Sequence, residues 1–115
     1  MSRIVVLGVF VADAVFRAKR LPAMGETVLG DGFQLGPGGK GSNQAVAAGK
    51  LGADVALITR LGADGFAEMA RKTWGAAGVV PRVVEDAGSY TGAASIFVDE
   101  ATGENAIIVC PGAGN

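Results

Sequence analysis

Apolar and polar segments alternate along the chain in a way that predicts an α/β fold. The run Ile4–Val11 is almost entirely apolar and rich in β-branched residues, so we expect it to form a central strand covered on both faces. Asp54–Thr59 has the same character and predicts a second buried strand. Val79–Val84 predicts a third strand, which Pro81 moves to an edge of the sheet because proline has no N–H to donate.

Two helices are predicted between these strands. Ser42–Leu51 has a narrow stripe of small apolar side chains, with Ser42 as its N-cap and Gly52 in the left-handed position just beyond its end. Asp64 is expected to cap the second helix, and Gly75 to close it. The core-facing side chains of this helix are Phe66, Met69, Ala70, Thr73 and Trp74. This order of strands and helices predicts right-handed crossovers and a layered, mainly parallel sheet with flanking helices.

Shorter and more polar segments predict two hairpins outside this sheet. Glu26–Leu29 and Gly32–Leu35 flank Gly30 and Asp31, and Gly92–Val98 is followed by Ala106–Val109 after a polar turn. Only two helices are then available to cover three or more strands. We therefore interpret the chain as the N-terminal part of a larger α/β domain, an incomplete domain with one poorly covered sheet face.

Composition and charge exclude several classes of function. Ten basic and eleven acidic side chains give a formal net charge of −1, which argues against a nucleic-acid binder. The chain has no histidine, so it contains no serine–histidine triad and no histidine-ligated zinc. A single cysteine, Cys110, excludes an internal disulfide and predicts a cytoplasmic protein. The first apolar run is too short to cross a membrane, and we favour a strand over a signal peptide.

The densest cluster of candidate chemistry is the glycine-rich segment Gly36–Asn43, directly before the first predicted helix. Glycines let a ligand approach the backbone, and free amides at a helix start can meet ligand oxygens. Lys40 adds a cation, and Asn43 adds both a donor and an acceptor. Asp13, just past the first strand, could accept hydrogen bonds from paired sugar hydroxyls. The alternative is structural: the glycines and Asp13 only turn the chain.

Two phosphate-binding motifs were compared with this segment. A P-loop requires Ser or Thr directly after the lysine, but Gly41 follows Lys40, so this motif does not match. The dinucleotide fingerprint does match literally, as glycines at positions 36, 38 and 41, with Arg60 as a candidate 2′-phosphate partner. The preceding segment, Asp31–Leu35, is more polar than the first strand of a Rossmann unit. An NADP-binding Rossmann fragment therefore stays open as an alternative.

A longer motif has a specific resemblance. The segment Gly38–Gly49, which reads GGKGSNQAVAAG, resembles the first signature of the ribokinase-like (phosphofructokinase-B-like) carbohydrate kinases. Gly25-Glu26-Thr27 before it also follows this family, as do Thr91-Gly92-Ala93 and Gly103-Glu104-Asn105 after it. The resemblance covers essentially the whole chain.

The resemblance implies a layered sheet with flanking helices and a small β lid over the sugar, formed by segments of about 14–36 and 91–109. It implies that Asp13 binds sugar hydroxyls. The residues implied to line the pocket are Gly38, Gly39, Lys40 and Asn43. The implied reaction transfers the γ-phosphoryl group of ATP to a sugar hydroxymethyl group, with D-ribose the first candidate. ATP and Mg²⁺ are the implied cofactors, with a monovalent cation as a further candidate, and the implied assembly is a homodimer through the lid strands.

The chain departs from the family pattern in two places. Val11 stands two residues before Asp13, where ribokinases commonly carry an asparagine that binds the sugar. The second family signature, which holds the catalytic aspartate and most of the nucleotide site, is absent from the chain. We therefore nominate no catalytic base here, place it C-terminal to this chain, and expect the chain to be inactive alone. A non-catalytic module that self-associates is the alternative.

Overall fold

The computed structural model describes residues 3–115, which form two sheets and two main helices. The elements in chain order are β1 (Arg3–Leu7), β2 (Val11–Ala18), β3 (Gly32–Gly38), α1 (Lys40–Lys50), β4 (Asp54–Leu61), α2 (Gly65–Ala77), β5 (Val79–Glu85), β6 (Ala93–Asp99), β7 (Asn105–Cys110) and a short 3₁₀ helix (Gly112–Gly114). The first sheet has the strand order β1-β4-β5, and the second has the order β3-β2-β6-β7.

The first sheet and both helices enclose the main core. All of its strand pairs are parallel, and β5 lies at its edge with Pro81 opposite Leu57, as the sequence predicts. Leu57 and Leu61 of β4 are fully buried and belong to the same core cluster as Trp74 of α2. This arrangement confirms the predicted α/β class with a parallel sheet.

The second sheet is mixed. Strand β2 pairs antiparallel with β3 and parallel with β6, and β6 pairs antiparallel with β7. The predicted hairpin of Gly92–Val98 and Ala106–Val109 is therefore confirmed as β6 and β7. The chain passes from the first sheet to the second near its start, because β1 belongs to the first sheet and β2, which begins at Val11, belongs to the second.

The prediction of one continuous first strand over Ile4–Val11 is wrong. The chain bends at Gly8–Phe10, so the run is divided between β1 and the start of β2. A Cβ built on Gly8 would lie 2.8 Å from the Cα of Gly41, so the bend packs directly against the start of α1. Phe10 turns into the core, whereas Leu7 of β1 is 81% exposed, so β1 is not covered on both faces.

The predicted pairing of Glu26–Leu29 with Gly32–Leu35 is also wrong. Glu26–Leu29 forms no strand, and β3 pairs with β2 instead. Glu26 accepts hydrogen bonds from both terminal nitrogens of Arg20, at 2.6 and 2.7 Å, and from the N–H of Ala23 at 2.9 Å. These contacts, together with the hydrogen bond from the N–H of Glu26 to the carbonyl of Ala23, belong to a turn in place of the predicted strand.

The Arg20–Glu26 pair gives a prediction about pH. The hydrogen bonds from Arg20 lower the pKa of the Glu26 carboxyl to about 2. Because the pKa is lower than in the unfolded chain, the stabilisation by the pair is fully present above the unfolded value and is lost progressively as the pH falls from that value through about 2. We expect the Glu26 carboxyl carbon to keep its ionised chemical shift at pH 3.5 in an NMR titration. An Arg20→Gln variant should move the pKa of Glu26 towards its ordinary value, although the N–H of Ala23 still lowers it, and unchanged behaviour in that variant would contradict the assignment.

The ends of α2 show one confirmed cap and one correction. Asp64 caps the helix as predicted, because its Oδ1 accepts a hydrogen bond from the N–H of Ala67 at 3.0 Å. Gly75 does not close the helix, which continues to Ala77 and ends at Gly78 with φ of 75°. Within residues 3–115 no helix is long and apolar enough to cross a membrane.

Candidate functional site

The candidate site lies where β2 begins in the second sheet and α1 begins beside the first. Asp13 is the third residue of β2 and lies opposite Gly36 of β3, while Gly38 lies opposite Val11. A Cβ built on Gly38 would lie 2.6 Å from Cγ and 2.8 Å from Oδ1 of Asp13. The structure therefore brings two predicted site residues into contact, and only glycine at position 38 leaves room for the carboxylate.

The Asp13 carboxylate is available to accept hydrogen bonds. It is partly buried, and desolvation raises its pKa above the ordinary aspartate value. Among the described residues no side chain or backbone N–H donates to it. A partly buried carboxylate without a protein donor is suited to binding ligand hydroxyl groups, each of which can donate one hydrogen bond.

The first turn of α1 is held close to the bend between β1 and β2. Gly39, its N-cap residue, has φ of 92°, and a Cβ built there would lie 3.1 Å from the carbonyl carbon of Val9 and 3.2 Å from Cα of Phe10. A side chain at position 39 is thus excluded by both the backbone angle and the neighbouring chain. Gly39 is therefore required for the chain to turn here, and this requirement is compatible with a role in the lining of a binding pocket.

The start of α1 also lacks the usual anionic groups. No side chain caps this helix, and its first turn contains no acidic residue, whereas α2 has the Asp64 cap and Glu68. The first N–H groups of a helix have no intrahelical partner, and the helix dipole adds partial positive charge there. The start of α1 can therefore bind oxygen atoms of a ligand.

Lys40 and Asn43 lie in this first turn, directly after Gly38 and Gly39. Both side chains are exposed, and their spacing of three places them on neighbouring parts of one helix face. The structure thus groups Gly38, Gly39, Lys40 and Asn43 along one short stretch, and it sets Asp13 against the first of them.

The dinucleotide fingerprint lies in an unsuitable place. Gly36 and Gly38 belong to β3, which is an antiparallel strand of the second sheet, and the triplet does not follow a strand of the parallel sheet. A Rossmann fingerprint follows the first strand of a parallel βαβ unit. Arg60, the candidate 2′-phosphate partner, donates to Oδ2 of Asp86 at 3.2 Å. The fingerprint therefore lacks the placement that the NADP alternative requires.

Sequence reasoning missed two contributors to the site. Ser42 does not cap α1; it is fully buried, and its Oγ accepts a hydrogen bond from Nε1 of Trp74 at 2.9 Å. The signal for this contact was Trp74 itself, because a core tryptophan needs a partner for its N–H. Ala94 of β6 lies opposite Asp13 in the parallel register, and Ile96 lies two residues further on the same face. These side chains provide an apolar surface beside the carboxylate.

Comparisons with known proteins identify the family of this chain. The family model described as pfkB family carbohydrate kinase matches residues 1–115. A ribokinase of Bacillus subtilis is 39% identical over 98% of this chain, and a deoxyribokinase of Salmonella typhi is 37% identical over 96% of it. The structure of Arabidopsis thaliana ribokinase complexed with ribose and ATP has a TM-score of 0.88 and 33% identity over 96% of this chain.

These matches cover only part of each known protein. The chain spans 38% of the Bacillus subtilis ribokinase, 36% of the Salmonella typhi deoxyribokinase and 36% of the Arabidopsis thaliana ribokinase. The family model nevertheless matches the chain from its first residue to its last. Motif, fold and relatives all agree, and the chain belongs to the pfkB family of carbohydrate kinases.

Proposed function

We propose that this chain is the sugar-binding part of a cytoplasmic kinase that transfers the γ-phosphoryl group of ATP to a sugar hydroxymethyl group. The observation that supports this most directly is the Asp13 carboxylate, which lies against Gly38 and receives no hydrogen bond from the described residues. D-Ribose, phosphorylated to ribose 5-phosphate, is the first candidate substrate. Relatives named ribokinase and deoxyribokinase make 2-deoxy-D-ribose the second.

In this proposal the residues of the chain bind and orient the sugar. Asp13 accepts hydrogen bonds from neighbouring hydroxyls, while the first amides of α1 and the Asn43 side chain bind further oxygens. Lys40 adds positive charge beside them. Positioning of this kind supplies much of the catalysis in phosphoryl transfer. The strands of the second sheet would act as the lid that excludes water, and they overlap the predicted segments 14–36 and 91–109.

The nucleotide and its metal are assigned to residues that follow this chain in the complete kinase. Among the described residues no group of three His, Cys, Asp or Glu side chains could hold a metal ion. Mg²⁺ would neutralise charge on the transferred phosphoryl group once it is bound with ATP. None of Asp54, Asp64, Asp86 and Asp99 lies in a sequence that resembles the second family signature, so we propose none of them as the catalytic base and expect no phosphate transfer by the 115-residue chain alone.

Ligand-observed NMR tests the sugar assignment directly. The chain is titrated with D-ribose, 2-deoxy-D-ribose, D-glucose and NADP under the same conditions. Selective signals from a pentose would support the proposal, and the preferred pentose would identify the substrate. Binding of NADP without any sugar would contradict it. ATP-dependent phosphorylation of ribose by the purified chain would contradict the assignment of the catalytic base to a later segment.

We also propose that two copies associate through the second sheet. Phe16 lies 5.1 Å from Phe33 and 5.7 Å from Phe97, measured between ring centroids, and these rings share one face of the sheet. Phe33 is 63% exposed and Phe16 is 42% exposed, which leaves a continuous apolar surface. Surfaces of this kind mark sites of protein association. If the chain associates but binds no sugar, the non-catalytic module becomes the better interpretation.

A charge placed on this surface should abolish the association. Phe33→Asp is expected to convert a dimer into a monomer in sedimentation velocity, because an aspartate cannot be buried in an apolar interface without a partner. Leu29→Asp is the matched control, since Leu29 is 91% exposed in the loop before β3 and lies outside the sheet. A monodisperse wild-type monomer, or equal effects of both variants, would contradict an interface on this face.

A further inference from the structure

We propose that Trp74 is a positioning residue for the candidate sugar site, because its indole N–H holds the first turn of α1 in the orientation that presents Lys40 and Asn43. The identity of the ligand rests on the proposed function. The positioning itself rests only on contacts within the described residues.

The hydrogen bond between Trp74 and Ser42 is fully enclosed. Nε1 of Trp74 donates to Oγ of Ser42 at 2.9 Å, and both residues have 0% exposure. Neither group can exchange its partner for water at this depth. Losing one partner would leave a buried polar group unsatisfied, which is costly in a low-dielectric interior. The bond therefore favours one placement of the Ser42 side chain strongly over others.

Ser42 is the one buried residue of the first turn, in which Lys40 and Asn43 are exposed and Gly41 is partly buried. Successive residues of an α-helix are rotated by about 100° around its axis. Fixing Ser42 towards the core therefore fixes the direction in which Asn43, the next residue, leaves the helix. The glycines at positions 39 and 41 have no side chains that could perform this role.

Trp74 also contacts the segment that leads to Asp13. Its ring lies edge-on to Phe10, with centroids 5.9 Å apart and an interplanar angle of 86°. Phe10 is buried in the bend before β2, three residues before Asp13. One side chain of α2 thus touches both chain segments that carry the candidate sugar ligands. We infer that it sets the placement of α1 relative to β2, as well as the rotation of α1.

The test compares four single variants, and the double variant Trp74→Phe with Ser42→Ala, by two measurements that do not depend on each other. Trp74→Phe removes the N–H and keeps an aromatic ring; Ser42→Ala removes the acceptor; Ser42→Thr keeps a hydroxyl as the conservative rescue. Thr73→Val is the matched control, because it removes the hydrogen bond from Thr73 to the carbonyl of Met69 within α2. The backbone amide shifts of residues 39–43 report the helix start, and the dissociation constant for D-ribose reports the site.

Trp74→Phe and Ser42→Ala should each shift the amide signals of residues 39–43 and weaken ribose binding about tenfold in the folded protein. The double variant should bind no more than about twofold more weakly than either single variant, because both remove the same bond. Ser42→Thr keeps the hydroxyl that accepts from Trp74, and Thr73→Val removes a hydrogen bond that stays within α2, so both should bind ribose within about twofold of the wild type.

The outcomes distinguish a positioning role of Trp74 from a role in stability alone, and they test this role separately from the proposed function. A loss of stability in Trp74→Phe and Ser42→Ala with unchanged amide shifts and unchanged ribose affinity would overturn the inference. Additive effects in the double variant would overturn it as well. If Trp74→Phe does not fold, Ser42→Ala and its threonine rescue carry the same test. If the wild type binds no ribose while the amide shifts follow the pattern above, the positioning stands and the proposed function fails.

Discussion

Replacing Gly39 with alanine is expected to destabilise the folded chain by about 3 kcal/mol, the sum of backbone strain and overpacking. The backbone angle φ is 92° at this residue, a region that L side chains rarely adopt. A methyl group would in addition overlap the carbonyl oxygen of Val9, which belongs to the bend between β1 and β2. Urea unfolding followed by circular dichroism measures the loss as a lower midpoint.

Gly36→Ala is the matched control for this change. Gly36 belongs to the same glycine-rich segment, but a Cβ built on it would meet no atom within 4 Å, and its φ is not positive. We expect its midpoint to stay within about 0.5 kcal/mol of the wild type, as for an ordinary surface substitution. Equal losses in the two variants would show that glycine content, and not the geometry at position 39, sets the stability of this segment.

Asp13→Ala is expected to weaken sugar binding about a hundredfold while the protein stays folded. Two hydrogen bonds from sugar hydroxyls to a carboxylate would be lost, at roughly 1.5 kcal/mol each. The fold should not suffer, because burial raises the pKa of Asp13, so the charged carboxylate opposes folding at neutral pH. Calorimetric titration with D-ribose and thermal unfolding measure the two effects separately.

The same carboxylate predicts a pH dependence of binding. Hydroxyl donors favour the ionised form, so ribose affinity should fall as the pH drops through the raised pKa of Asp13. Gln34→Ala is the control, because Gln34 lies opposite Val15 on the same face of the second sheet and carries no charge. Equal losses of ribose affinity in Asp13→Ala and Gln34→Ala would contradict the role of Asp13. In the complete kinase, equal losses of sugar and ATP binding would also contradict it.

Three predictions that rest on local chemistry agree with the structure. Asp64 caps α2, Pro81 lies in an edge strand, and the two apolar segments around the polar turn at 99–105 pair as a hairpin. Each of these features acts within a few residues. An N-cap side chain accepts a hydrogen bond from the helix that it begins, and a proline removes a backbone donor from its own strand. The glycine-rich motif identified the family because it, too, is local: it is one contiguous segment, with more glycines than a single turn requires.

The errors arise where distant contacts decide the local structure. Gly8 is the one residue within Ile4–Val11 that signals a break, and the partner of the bend, Gly41, lies far along the sequence. Ser42 has the composition of a cap, yet Trp74 draws its hydroxyl into the core and leaves Gly39 as the N-cap. The pairing of β3 with β2 likewise joins segments on either side of a long loop, in which Arg20 and Glu26 form an ion pair. All three contacts join segments that local sequence patterns do not connect.

The chain order of the second sheet has a consequence for biosynthesis. Strand β2 lies between β3 and β6, but β3 ends at Gly38 and β6 begins only at Ala93. A ribosome that adds 5–20 residues per second needs about 3–11 s for the roughly 55 residues in between. Throughout this interval one edge of β2 has no strand to pair with, and unpaired edges favour aggregation. We therefore expect chaperones to bind the nascent chain while α1 to β5 emerge, and slower translation lengthens that interval.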